Sequence, residues 1–247
     1  MCNLRIMTYR QKLIILLAVV LAVLLYFAPK IPSEKKEAAK EDSDFSSQFE
    51  EAKKNISSEQ KTIFDRLEQG FKKAKEDNNE QSWIASADDF LKSARFIQGD
   101  KKAVLYKGAI NGFEKALGFN SDNLSTKTNL GTSIVESSSL LGNQPMKGIT
   151  LLREVIQKDS NNIEANLQLG LFSVTSQQFQ KAIERFQRIL RIDSTHIDMY
   201  VYLGDTYLTM GEKQKAIESY ENYKIRVKDT LIIKDIDEYI KKLKNQP

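Results

Sequence analysis

A chain of 247 residues with 37 basic and 33 acidic side chains, interspersed along most of its length, offers no phosphate-tracking stripe, which argues against nucleic-acid binding. Its 41% hydrophobic and 28% charged content, with 4 Pro and 11 Gly, excludes an intrinsically disordered chain and suits a helix-rich fold with a sizeable core. The one cysteine, Cys2, cannot form an internal disulfide, so packing alone must hold the fold.

Leu13 to Ala28 reads LIILLAVVLAVLLYFA, an apolar run behind Arg5, Arg10 and Lys12 and ahead of Pro29 and Lys30. As a helix these sixteen residues cover roughly 24 Å, against about 30 Å of bilayer hydrocarbon. Tyr26 and Phe27 suit the interface, and Lys12 and Lys30 can snorkel. No periodic polar face interrupts the run, which speaks against a buried core helix. The pattern also fits a cleaved secretory signal, but Tyr26, Phe27 and Pro29 make a poor cleavage site. Residues 1–30 therefore read as a signal anchor, one N-terminal transmembrane helix. Lys30, Lys35, Lys36 and Lys40 follow it, so the positive-inside count does not decide the orientation. The short N-terminus is expected in the cytoplasm, with the rest periplasmic or otherwise extracytoplasmic.

Residues 31–55 form a charged linker: PSEKKEAAKEDSD, from Pro32 to Asp44, has no large apolar residue with which to fold. Lead-in helices and a degenerate repeat unit are expected over 56–123. Ser57 and Gln60 have capping-box spacing, and Ile63, Phe64, Leu67 and Phe71 form an apolar stripe at helical period. A second helix runs from about Gln81 through Trp83, Ile84, Phe90, Leu91 and Phe96 to a turn at Gln98-Gly99-Asp100, with Trp83 in the core.

An internal period dominates the C-terminal half. Leu169-Gly170 and Leu203-Gly204 lie 34 residues apart, as do Lys181-Ala182-Ile183 and Lys215-Ala216-Ile217, and Phe186 and Tyr220. A third copy has Leu130-Gly131, Lys147-Gly148-Ile149 and Leu152. Its second-helix landmarks keep the 34-residue offset, but its Leu-Gly pair lies 39 before the next, so five residues are expected to be inserted between its two helices, around Ser137 to Asn143. A fourth, degenerate copy has Ala109, Phe113 and Ala116 in its second helix and Phe96-Ile97 where the Leu-Gly pair belongs. Gly170, Gly204, Ala182 and Ala216 are small enough to let antiparallel helices approach closely. Past the repeats, over 229–247, Leu231, Ile232, Ile236, Tyr239, Ile240 and Leu243 give an amphipathic capping helix.

This pattern resembles the tetratricopeptide repeat (TPR) family over roughly Leu124 to Lys228, placing three units in 124–228. The last copy matches best, with Tyr200, Leu203, Gly204, Tyr207, Gly211, Ala216 and Tyr220. The copy before it has Asn166 and Ser173 where large residues are usual, and Ser160, Ser194 and Lys228 replace the final proline. The resemblance implies an all-α solenoid of helical hairpins whose first helices line a concave face. It places Ser125, Thr128, Thr132, Val135 and Glu136 on that face, then Glu164, Leu167, Leu171, Val174 and Thr175, then Asp198, Val201, Asp205, Leu208 and Thr209. That lining is small, apolar and mildly acidic, and it lacks the Lys, Arg and Asn with which some relatives grip a C-terminal carboxylate. The expected partner is a protein or peptide segment, an apolar or weakly basic helix or strand.

No Cys/His cluster, phosphate loop or nucleophile elbow is present, and the one histidine, His196, falls in a turn between repeats. Enzymatic activity, a metal and a cofactor are therefore not expected. The leading expectation is a membrane-tethered scaffold or assembly factor at the cell envelope. The alternative is a secreted or periplasmic repeat protein that self-associates as a homo-oligomer after signal cleavage.

Overall fold

The computed structural model describes residues 43–54, 56–142 and 144–245. The expected membrane span over Leu13 to Ala28 and the linker as far as residue 42 lie outside these residues. Among the described residues no helix is long and apolar enough to cross a membrane. Residues 1–47 and 48–247 are separate compact units; of the first, residues 43–47 are described and helical.

In the second unit, after helical residues 48–52, ten helices follow: α1 (Ser58–Asp77), α2 (Glu80–Phe96), α3 (Lys101–Phe119), α4 (Leu124–Leu141), α5 (Met146–Lys158), α6 (Ile163–Thr175), α7 (Phe179–Ile192), α8 (Met199–Thr209), α9 (Lys213–Lys224) and α10 (Thr230–Asn245). No strand occurs among the described residues. The closest pairs are α2 with α3, α4 with α5, α6 with α7 and α8 with α9, giving four hairpins stacked in chain order. First helices α2, α4 and α6 also touch one another, whereas α3, α5 and α7 are not packed together in the same way.

The hairpins close on bare backbone. A Cβ added to Gly170 would lie 2.6 Å from the Phe186 ring, and one added to Gly204 would lie 2.6 Å from the Tyr220 ring. The same aromatic-on-glycine contact thus recurs at the 34-residue offset. The five extra residues of the third copy do not make a loop. They lengthen its first helix, α4, to 18 residues against 13 in α6.

The degenerate copy is built differently from the sequence expectation. Phe96 ends α2 with 82% of its surface exposed, so Phe96-Ile97 does not take the Leu-Gly place. The small residues have moved to the second helix: a Cβ on Gly108 would meet Phe90 at 2.5 Å, and one on Gly112 would meet Ala87 at 2.8 Å. Ala109, Phe113 and Ala116 are buried as expected.

Aromatic rings close the N-terminal end of the array. Phe49 stacks on Phe64 at 5.2 Å, and Phe71 meets Trp83 edge-on at 5.5 Å, so Trp83 is core. The Ser57/Gln60 capping box forms on both sides. At the other end Ile240 and Leu243 of α10 pack on Ala216, Ile217 and Tyr220. The cap's apolar face is shorter than its sequence pattern, because Leu231 is 72% exposed and Ile232 is 37% exposed.

Substituting alanine for glycine should have opposite signs at two helical positions. At Gly170 the added methyl overpacks against Phe186, at a cost of about 1–3 kcal/mol that outweighs a helix-propensity gain of about 1 kcal/mol, so Gly170→Ala lowers the melting temperature. At Gly118 nothing lies within 4 Å, and Gly118→Ala raises it by the equivalent of about 0.5–1 kcal/mol. Thermal unfolding of the two variants checks the pair.

Candidate functional site

The face formed by the first helices carries one polar cluster and one apolar row. Arg95, near the end of α2, reaches over to α4 and α6. Its guanidinium donates to both oxygens of Glu136, at 3.2 and 2.8 Å, and to Glu164 at 3.1 Å. The Tyr106 hydroxyl of α3 donates to Glu136 at 2.9 Å, while the Gln168 amide of α6 donates to Glu136 at 3.0 Å and to Glu164 at 3.2 Å. Beside it, Asn129 donates to Asp88 at 2.9 Å, linking α2 to α4 again.

Two carboxylates around one guanidinium fix the charge states. Burial works against the charge on Arg95, yet hydrogen bonds and attraction from Glu136 and Glu164 prevail and hold its pKa above the usual value. Burial, then the Glu136 charge, pushes the Tyr106 hydroxyl far above the ordinary tyrosine range. Burial likewise raises Asp88, against the opposing hydrogen bond from Asn129.

The residues expected on this face fall into three groups. Thr128 and Thr132 are buried: Thr128 donates to the Leu124 carbonyl at 2.8 Å, and Thr132, with no exposed surface, lies 3.5 Å from Glu164. Leu167, Leu171 and Val174 are half-buried against the cluster of Ala182, Ile183, Phe186 and Leu203, and Val201 and Leu208 against that of Ala216 and Tyr220. Val135 packs in the same way on Ile149 and Leu152. Ser125, Thr175, Asp198, Asp205 and Thr209 are exposed. Thr175 and Thr209 turn their hydroxyls back to the Phe172 and Asp205 carbonyls, and the Asp205 carboxylate accepts from Tyr220 at 2.6 Å.

Glu136 and Glu164 are thus the two expected residues that the fold brings together. Arg95, Tyr106 and Gln168, which join them, were not among the expected residues. The fifteen positions expected to line the face hold no Lys or Arg, and the arginine that joins the two glutamates comes from outside them, from the degenerate hairpin. His196 lies in the turn before α8, 3.6 Å from Asp193 with a partly exposed side chain. Among the described residues no group of His, Cys, Asp and Glu is arranged to hold a metal ion.

Because the folded state holds the Tyr106 and Tyr220 protons more tightly than an unfolded chain, the stability from these groups is complete below about pH 10 and is lost above it. Each contributes at most about 1.4 kcal/mol per pH unit. Urea unfolding followed from neutral to strongly alkaline pH should show a shallower decline for Tyr106→Phe than for the unsubstituted chain.

No family model matches this chain, and no curated protein matches it. Solved structures do. MamA 41-end from Desulfovibrio magneticus RS-1 is 14% identical with a TM-score of 0.54, covering 75% of this chain and 94% of that one. Another MamA crystal structure is 25% identical with a TM-score of 0.44, covering 60% and 93%. YrrB, described as a TPR protein with an unusual peptide-binding site, is 21% identical with a TM-score of 0.45, covering 68% and 97%. The likeness to the Desulfovibrio magneticus protein is one of fold, and it agrees with a chain built as an array of helical hairpins.

Proposed function

We propose that this chain is a membrane-tethered protein–protein interaction module, a scaffold or assembly factor at the cell envelope. It binds a partner segment along the face formed by α2, α4, α6 and α8. The observation that carries this reading is the apolar row of Leu167, Leu171, Val174, Val201 and Leu208. These side chains stay half-exposed, and the charged cluster of Arg95, Glu136 and Glu164 is fixed on the same set of first helices. Apolar side chains of the partner cover that row, and a basic side chain can approach Glu136, Glu164 and the exposed Asp205. Thr128 and Thr132 take no direct part, since their side chains are enclosed. The tether is the apolar run Leu13 to Ala28, with the array on the extracytoplasmic side and no chemistry of its own required.

Cross-linking and affinity capture with the full chain test the binding face. Leu171→Lys and Asp205→Lys should each reduce recovery of the captured partner at least about tenfold, the effect of losing one central contact of about 1.4 kcal/mol. Circular dichroism should stay unchanged, and undiminished recovery by both variants would sink the groove. A reporter fused after Pro247 reads the orientation, and activity only in the cytoplasm would reverse it.

The self-associating alternative has one observation in its favour: Ile225 and Leu231, 71% and 72% exposed, leave apolar surface uncovered near the end of the array. Intact mass of the extracted protein separates the two readings. Loss of about the first 28 residues, which would remove the run ending at Ala28, together with a sedimenting oligomer, favours self-association.

A further inference from the structure

Beside the turn that joins α5 to α6, one arginine of α5 and two of α7 come within electrostatic reach of one another. Arg153 comes from α5, and Arg185 and Arg188 are separated by three residues, one helical turn, on α7. Arg185 donates to the Asn166 side-chain oxygen at 3.1 Å, and Arg188 donates to the Ser160 hydroxyl at 2.8 Å and to Asn161 at 3.4 Å. All of these acceptors are neutral. Arg66 and Arg95, by contrast, each pair with carboxylates.

Three further facts mark the cluster as incomplete. The Nε of Arg188 is buried and has no hydrogen-bond partner. Arg153 is exposed and, among the described residues, makes no hydrogen bond or ion pair. Burial, then the charges of Arg153 and Arg188, lowers the pKa of Arg185, and only Glu184 opposes them. Along α7 the basic residues are Lys181, Arg185, Arg188 and Arg191, against the single carboxylate Glu184.

Like charges gathered at a partly buried surface repel one another unless an anion joins them. The contacts to Asn166, Ser160 and Asn161 hold two of the guanidiniums in place while using few of their five N–H donors each. Planar guanidinium forks match the oxygens of a phosphate in pairs, and the Ser160 hydroxyl can add a further donor.

We propose that Arg153, Arg185 and Arg188 form a phosphate-binding site beside the turn that joins α5 to α6, for the phosphate of an anionic lipid headgroup or of a soluble compound. The site is separate from the partner-binding face and does not depend on it. An array tethered beside a bilayer could use it to lie against the headgroups.

Two arms distinguish the sources, both with the full chain. In detergent, inorganic phosphate is titrated calorimetrically at low salt. In the second arm, vesicles of phosphatidylcholine alone give the contribution of the apolar run, and added phosphatidylglycerol gives the anionic increment. Arg153→Gln removes no hydrogen bond of the fold, so it reports on charge without unfolding the array; it should weaken the response about fivefold. Arg153→Gln combined with Arg188→Gln should abolish the response. Loss of the phosphate response marks a soluble ligand, and loss of the phosphatidylglycerol increment alone marks a lipid. If neither quantity changes in either variant, or no response exists to lose, the site is overturned.

Discussion

Every hairpin of the array rests on one kind of contact, a bulky side chain of one helix lying against small residues of the other. With the Phe186 ring against Gly170 and the Tyr220 ring against Gly204, the distance between paired helices is set by a ring's thickness and not by two side chains. That spacing fixes which apolar groups are left over on the outside of each pair. The leftover surface is what joins one hairpin to the next: Phe186, having closed its own hairpin, stacks at 5.4 Å on Tyr202 of the following one. A single hairpin cannot cover these faces, so the stack must continue until rings or a capping helix end it.

Ordering the first helices side by side has a second consequence, because it lets one arginine serve three hairpins. Arg95 spans α2, α4 and α6 through Glu136 and Glu164. Exposed ion pairs between hairpins, such as Lys158 with Asp122, contribute little in water. The Arg95 cluster is more enclosed and shares its hydrogen bonds with Tyr106 and Gln168. Its worth lies in holding the inner face in one geometry more than in net stability.

The repeat was legible because its contact is a matter of residue size at fixed spacing. Gly170 and Phe186 announce themselves again as Gly204 and Tyr220. The five-residue insertion could be counted but not shaped: offsets register length alone, and Ser137 and Ser138 continue the helix by bonding back to the Ile134 and Val135 carbonyls. The close contact of the degenerate hairpin does not follow the repeat pattern because its small residues, Gly108 and Gly112, sit on the opposite helix from the usual one, yet the physical contact is the same. Arg95 escaped notice for a related reason. Its separation from Glu136 is no multiple of the repeat, and only the stacking of α2 on α4 brings the two together. Thr132 looked available by position, but α6 lays Glu164 across it.

The even mixture of charge along the sequence also concealed a segregation in space. Arg185 and Arg188, one helical turn apart, share a side of α7, and Glu184 is the one carboxylate on that helix to set against them. The stacking of hairpins then brings Arg153 of α5 within electrostatic reach of Arg185 of α7, although the two are not like positions of the repeat. On the inner side the same geometry gathers Glu136 and Glu164 and supplies one arginine between them. A net charge of +4 therefore describes neither face. In a solenoid, charge has to be read hairpin by hairpin and side by side, because the two faces meet different surroundings.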